Sequence, residues 1–209
     1  MRILHRVNYL DNRISSEVFT TADGIEFDIR DSAGELIVQH DPFQSGQPFK
    51  EFVRHCVPSK FYIVNVKSEG IELEAIRILE EAGCRNFFLL DCSIPSIIRL
   101  GKRGERRIAA RFSEFEAIDT VERLAPFISW VWIDVFTSLP ISREVLDHLH
   151  GLGLQTCLVS PELQTQPEKV ADYRTFLVSQ GAIPTAVCSK QEYIKLWSPV
   201  YEPSPCPSQ

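Results

Sequence analysis

Five things are missing from this chain, and each absence argues against a class of protein. No run approaches the roughly eighteen consecutive apolar residues that a membrane-spanning helix needs. The first ten residues, Met1 to Leu10, contain no apolar stretch of secretory-signal length, so a cytoplasmic location is expected. The six cysteines show neither CxxC nor zinc-finger spacing. Several lie inside apolar runs, where a reduced thiol behaves as a small hydrophobe. Glycine-rich phosphate loops of the GxGxxG or GxxxxGK[ST] type are absent as well. Nor is there an excess of positive charge: the net charge is −6, which argues against a nucleic-acid partner. What remains is a chain of 209 residues with 44% hydrophobic and 24% charged content, enough for the core of one large domain.

The pattern that is present alternates strand and helix. Arg2 to Arg6 is a short apolar run ending in polar residues, and a helix is expected over 13–22. Gly24 to Arg30 alternates strictly, with Ile25, Phe27 and Ile29 against Glu26, Asp28 and Arg30. A short extra strand, Leu36 to Gln39, then delivers His40 and Asp41, and a short helix fits 48–57. Further strands are expected at 61–67, 86–92, 107–113, 130–136, 155–160 and 185–190. Helices are expected at 71–82, 94–101, 114–124, 141–150, 167–180 and 192–197, the first of these ended by Gly83. Leaving out the extra strand, eight strands alternate with helices, the rhythm of a closed (β/α)8 TIM barrel over 1–197. The proline-rich stretch 198–209 has no pattern and reads as a disordered tail.

In such a barrel chemistry gathers where the strands end. Those ends carry His5 and Arg6, then Glu26, Asp28 and Arg30, then Asn65 and Lys67, followed by Asp91, Arg111, Asp134, Ser160 and Lys190. Glu26 and Asp28 share one strand face, and two adjacent carboxylates repel unless a positive group sits between them. That is the chemistry of a hard divalent cation. Lys67 suits a phosphate contact, or a carboxylate partner that makes its burial tolerable. Arg111 and Asp134 fit an ion pair at the barrel mouth, while Asp91 and Lys190 are equally compatible with structure or function. His148 and His150 stand two apart on a helix and face solvent. His55 has no partner in the pattern, and Trp130 and Trp132 fit barrel packing better than a sugar platform.

The order His5-Arg6, Glu26-x-Asp28, a short hairpin, His40-Asp41 and then Asn65-x-Lys67 resembles the glycerophosphodiester phosphodiesterase family. The resemblance covers the first third of the chain by motif and the rest by its βα rhythm. It implies a barrel that hydrolyses a small-molecule or lipid-linked phosphodiester with His5 and His40 as the acid/base pair. It also implies Mg2+ or Ca2+ held by Glu26, Asp28 and Asn65, with phosphate held by Arg6 and Lys67; Arg111 is a further phosphate-binding candidate. The family usually has a glutamate where this chain has Asn65, so a cation loses one charged ligand here. Val7 replaces a glycine, and the segment 41–60 is short where relatives insert a covering subdomain, which leaves a more open pocket. A metal-free alternative, as in the phosphatidylinositol-specific phospholipase C relatives of this barrel, draws positive charge from Arg30 or Arg111. Another is a phosphodiester-binding protein without turnover. The sequence leaves the oligomeric state open.

Overall fold

A computed structural model describes residues 1–198; the expected tail lies outside the described residues from 199 onward. Ten strands and seven α-helices follow in order. These are β1 Arg2–Leu4, α1 Asn12–Thr21, β2 Gly24–Ser32, β3 Glu35–Val38, β4 Gln47–Pro48, α2 Phe49–Phe52, β5 Phe61–Val66 and α3 Glu72–Glu81. The second half holds β6 Phe87–Leu90, α4 Ile94–Gly101, β7 Ala109–Phe112, α5 Ile118–Leu124, β8 Trp130–Ile133, α6 Arg143–Gly151, β9 Gln155–Val159, α7 Val170–Ser179 and β10 Ala186–Ser189.

Eight parallel strands close into a (β/α)8 barrel. The pairings run β10·β1·β2·β5·β6 on one side and β7·β8·β9·β10 on the other. The seam between β6 and β7 is the thinnest. A single parallel bridge from Leu89 to Ile108 joins it, with the Leu89 N–H donating to the Arg107 carbonyl at 2.8 Å. β3 and β4 do not join the barrel; they extend β2 as an antiparallel hairpin beside its mouth.

Period-two alternation sorts each strand's side chains between two cores. Ile3, Ile63, Phe88, Leu90, Trp130, Trp132 and Cys157 fill the interior, with Phe88 and Trp130 ring centroids 4.8 Å apart. Both tryptophans are therefore packing residues. The opposite parity, including Ile25, Phe27, Tyr62 and Val64, packs under the helices. Phe27 lies 4.6 Å from Phe52, so the short segment after β4 is anchored by aromatic burial. Gly24 permits β2 and β5 to approach: a Cβ there would stand 2.2 Å from the Phe61 carbonyl oxygen.

Helix boundaries follow local chemistry. The Asp11 carboxylate accepts the Ile14 N–H at 2.7 Å and starts α1, and Ser142 caps α6 in the same way. Gly83, at φ 79°, turns the chain out of α3 as expected. Three expectations need correction. The helix read from residue 114 begins only at Ile118, because Ser113 and Glu116 bond each other's backbone in a turn. The expected 48–57 helix is one α-helical turn followed by a 3-10 turn over Val53–His55, and the last helix is the 3-10 turn Ile194–Trp197.

Candidate active site

Three neighbouring strands build the site at the C-terminal mouth. β2 points Glu26 and Asp28 into the barrel, where they are 1% and 0% exposed. β1 ends at Leu4, and the chain then turns sharply at Arg6, a non-glycine residue at φ 54°. That turn aims the Arg6 N–H at Glu26 Oε2, 2.7 Å away, and leaves His5 Nε2 3.7 Å from the same oxygen. β5 places Asn65 level with Asp28 in the parallel register, and Asn65 Nδ2 donates to Glu26 Oε1 at 3.2 Å. Asp28 is clasped from the β1 side by Asn8. The Asp28 N–H donates to Asn8 Oδ1 at 2.8 Å, and Asn8 Nδ2 donates back to Asp28 Oδ2 at 2.9 Å.

Beyond the strand ends the charges alternate around the rim. Lys67 Nζ lies 3.5 Å from Asp28 and 3.1 Å from Asp91. Arg111 then bridges Asp91, at 2.6 Å, to Asp134. The Arg111–Asp134 pairing anticipated from sequence is thus present, with Asp91 as a further partner. Asp91 reaches this line because it adopts φ 62°. Aspartate tolerates that conformation better than most residues, and here it redirects a side chain whose strand parity points it away from the interior. Arg6 Nε adds a contact of 3.7 Å to Asp28.

His40 arrives from the hairpin. The Gln39 N–H donates to the Asp28 carbonyl at 2.9 Å, and Arg30 Nη2 donates to the His40 carbonyl at 3.0 Å. The hairpin is thereby tied to the end of β2. The imidazole Nδ1 stands 2.8 Å from Asp41, whose carboxyl is held below its usual range by that hydrogen bond. Burial first, and then the Arg6 charge, push His5 down to about 4; His40 and Lys190 act in the same direction. His5 is therefore a neutral imidazole at neutral pH. Burial and the neighbouring Asp28 raise Glu26 to about 7, against hydrogen bonds from Arg6 and Asn65. Burial also raises Asp134, although Arg111 opposes it.

Hard-cation ligation needs oxygen donors, and two here are conspicuous. Asp28 Oδ1 and Asn65 Oδ1 are buried without a hydrogen-bond partner, on adjacent strands at the same register. With Glu26 they form a set of two carboxylates and one amide, which fits an oxygen-loving divalent cation that keeps several waters. Among the described residues, no group of three or more His, Cys, Asp or Glu side chains is placed to hold a metal. A third ligand in such a set would be the neutral Asn65 amide, and Lys67 stands beside the set.

Other sequence candidates are engaged elsewhere, although the Lys190 charge still reaches His5. The Lys190 side chain is exposed, while its N–H donates to Glu162 Oε1 at 3.0 Å. Ser160 belongs to a buried network in which Trp197 Nε1 donates to its hydroxyl at 2.9 Å and its own hydroxyl donates to Glu162. His148 and His150 are exposed on α6, and His55 Nδ1 lies 3.0 Å from Asn12 Oδ1. Sequence reasoning passed over Asn8 and Glu162. Asn8 follows the His-Arg pair in a loop with no periodicity, and Glu162 carries no signal that separates it from a surface acid.

No protein-family model matches the chain, and no curated protein matches it in sequence. Its similarity to solved structures is extensive. The glycerophosphodiester phosphodiesterase of Thermotoga maritima superposes with a TM-score of 0.68 at 15% identity, covering 95% of this chain and 97% of that one. A glycerophosphodiester phosphodiesterase from Agrobacterium tumefaciens gives a TM-score of 0.66 at 12% identity, covering 93% and 98%. At such identities the likeness establishes a shared architecture: this chain has the TIM-barrel fold of those solved phosphodiesterases over nearly its whole length.

Proposed function

We propose that this protein is a phosphodiester hydrolase, with a small or lipid-linked phosphodiester as substrate. The observation that carries the reading is convergence. His5, Arg6, Glu26, Asp28, Asn65 and Lys67 come from three adjacent strands to one end of the barrel, and the hairpin brings His40 to the same rim. Resemblance in motif order and in fold supports it independently.

The residues divide the work as follows. His5, neutral and partly buried, takes the proton from the attacking water. His40, more exposed and backed by Asp41, gives a proton to the departing alcohol. Water oxygen bonds to phosphorus as the ester oxygen leaves, so each histidine handles one proton. Arg6 and Lys67 hold the non-bridging phosphoryl oxygens where negative charge accumulates, and Arg111 supplies further positive field from the rim. Glu26, Asp28 and Asn65 would hold Mg2+ or Ca2+, which when bound supplies positive charge against a phosphoryl oxygen. The Asn8 clasp fixes Asp28, and Asn65 fixes Glu26.

One geometric fact favours a second reading. Lys67 already lies 3.5 Å from Asp28 Oδ1, one of the unpartnered oxygens. Here Lys67, Arg6 and Arg111 provide the positive charge without a metal. Turnover of a phosphodiester panel, before and after exhaustive chelation, tests both. Hydrolysis lost on chelation and restored by Mg2+ or Ca2+ supports the first reading. Hydrolysis that persists supports the second, and no hydrolysis under either condition overturns the enzyme assignment.

A further inference from the structure

Beside Lys67 the mouth opens into a small pocket that shares only this lysine with the proposed hydrolytic residues. It encloses about 120 Å3 between the loop joining β5 to α3 and the loop joining β6 to α4. Its lining includes Lys67, Glu69, Glu72, Asp91 and Ser93.

Two of these groups have unmet hydrogen-bonding capacity. Glu72, the first residue of α3, is 1% exposed, and its Oε1 has no hydrogen-bond partner. Arg99 reaches only the other oxygen, at 3.4 Å. Ser93 occupies the N-cap position of α4, where a serine hydroxyl ordinarily accepts a backbone N–H. It makes no such bond, and its Oγ is also buried without a partner. Leaving a buried carboxylate oxygen and a hydroxyl unpaired is costly unless a ligand completes them. Three carboxylates and one lysine line the space; Asp91 is paired with Lys67 and Arg111, and Glu72 with Arg99 through one oxygen only, which leaves its Oε1 as the open acceptor. That lysine is one of the two residues assigned above to hold the phosphate.

We infer that this pocket receives a primary ammonium group on one arm of the substrate, which makes the preferred diester an aminoalcohol phosphodiester of the ethanolamine type. The inference rests on the phosphodiesterase reading. An ammonium offers three donors, enough for Glu72 Oε1, Ser93 Oγ and one further acceptor, and charge-assisted bonds of this kind are the stronger ones. Phosphate on Lys67 and ammonium on Glu72 match the opposite charges of a short aminoalkyl phosphate. A trimethylammonium group has no N–H donor and more bulk, so the pocket discriminates against choline-type arms.

Calorimetric binding of phosphoethanolamine, phosphocholine and ethyl phosphate to the full chain tests this without requiring turnover. Phosphoethanolamine is expected to bind about tenfold more tightly than ethyl phosphate, the scale of one hydrogen bond to a charged group. The ratio of the two affinities should collapse toward one in Glu72→Gln, or in Ser93→Ala if the first variant does not fold. Equal affinities in the wild type, a cavity that holds water only, would overturn the proposal, as would a preference that survives both substitutions. Soluble glycerophosphoethanolamine and phosphatidylethanolamine vesicles, compared in turnover, separate a free diester from a lipid headgroup as the source. Amine preference in binding with no diester hydrolysed would sink the phosphodiesterase reading and leave the ammonium site standing. Hydrolysis without that preference in binding would do the reverse.

Discussion

Lys67 Nζ stands 3.1 Å from the Asp91 carboxylate, and Asp91 in turn lies 2.6 Å from Arg111. One acid therefore holds two of the cations proposed to face the substrate phosphate. A phosphate entering the mouth must compete with it. Asp91→Asn keeps a residue that tolerates φ 62° but removes the competing charge. Affinity for inorganic phosphate, measured calorimetrically, should rise about two- to fivefold, in line with the worth of one partly exposed ion pair. Stability should fall by about 1–2 kcal/mol, because Arg111 keeps only Asp134. Unchanged or weaker phosphate binding would mean that Lys67 and Arg111 serve the rim and not the ligand.

The histidine roles make a sharper demand. His5→Ala and His40→Ala should each lower kcat by about 10²–10⁴, the usual contribution of a general acid or base. Neither ring is in the apolar core: their side chains are 21% and 35% exposed. Thermal unfolding midpoints should therefore stay close to that of the parent protein. Near-parental turnover in either variant would remove that histidine from the mechanism.

Much of this was legible in the sequence because the signals were periodic. Strict alternation from Ile25 to Arg30 placed Glu26 and Asp28 on one face, and the βα rhythm led to a closed barrel. The parts that escaped depend on single backbone angles or on contacts distant along the chain. Strand parity turns Asp91 away from the site, and only its positive φ brings it back. Asn8 and Asp28 are twenty positions apart along the chain, and no local pattern joins them. Glu72 has the look of an ordinary acid in a first helical turn, whereas the fold buries it. The late start of α5 had a related cause: Glu114 favours a helix by propensity but spends its carboxylate on another loop.

Asn65 gives a direct test of the cation set. Replacing it with aspartate restores a third charged oxygen ligand but deletes the amide that donates to Glu26 at 3.2 Å. Without added metal, Asn65→Asp should be less stable by about 1–3 kcal/mol, since three carboxylates then crowd one buried site. Saturating Mg2+ or Ca2+ should reverse the order, with a larger cation-induced rise in unfolding temperature than in the parent. If neither cation stabilises the variant or the parent, Glu26, Asp28 and Asn65 do not form a metal site, and the lysine-and-arginine reading gains.

Glu114 predicts how the mouth responds to acid. Its carboxylate leaves the turn after β7 and accepts the Thr137 hydroxyl at 2.8 Å and the Ser138 N–H at 3.1 Å, clasping the loop after β8. Its partial burial raises its pKa, but hydrogen bonds from its own backbone and from Thr137 and Ser138 outweigh this and hold the group at about 2, against an ordinary 4.5. Between those values the unfolded chain binds more protons than the folded one, so this clasp contributes stability above about 4.5 and loses it as the pH falls toward 2. Glu114 is only partly buried, and after screening the contribution is about 1 kcal/mol. Glu114→Gln should lower the unfolding midpoint by about 2–4 °C at pH 7. That gap should narrow steadily as both proteins are titrated into the acid range. A gap that stays constant with pH would show that the carboxylate's charge contributes nothing, and that the clasp acts by shape alone.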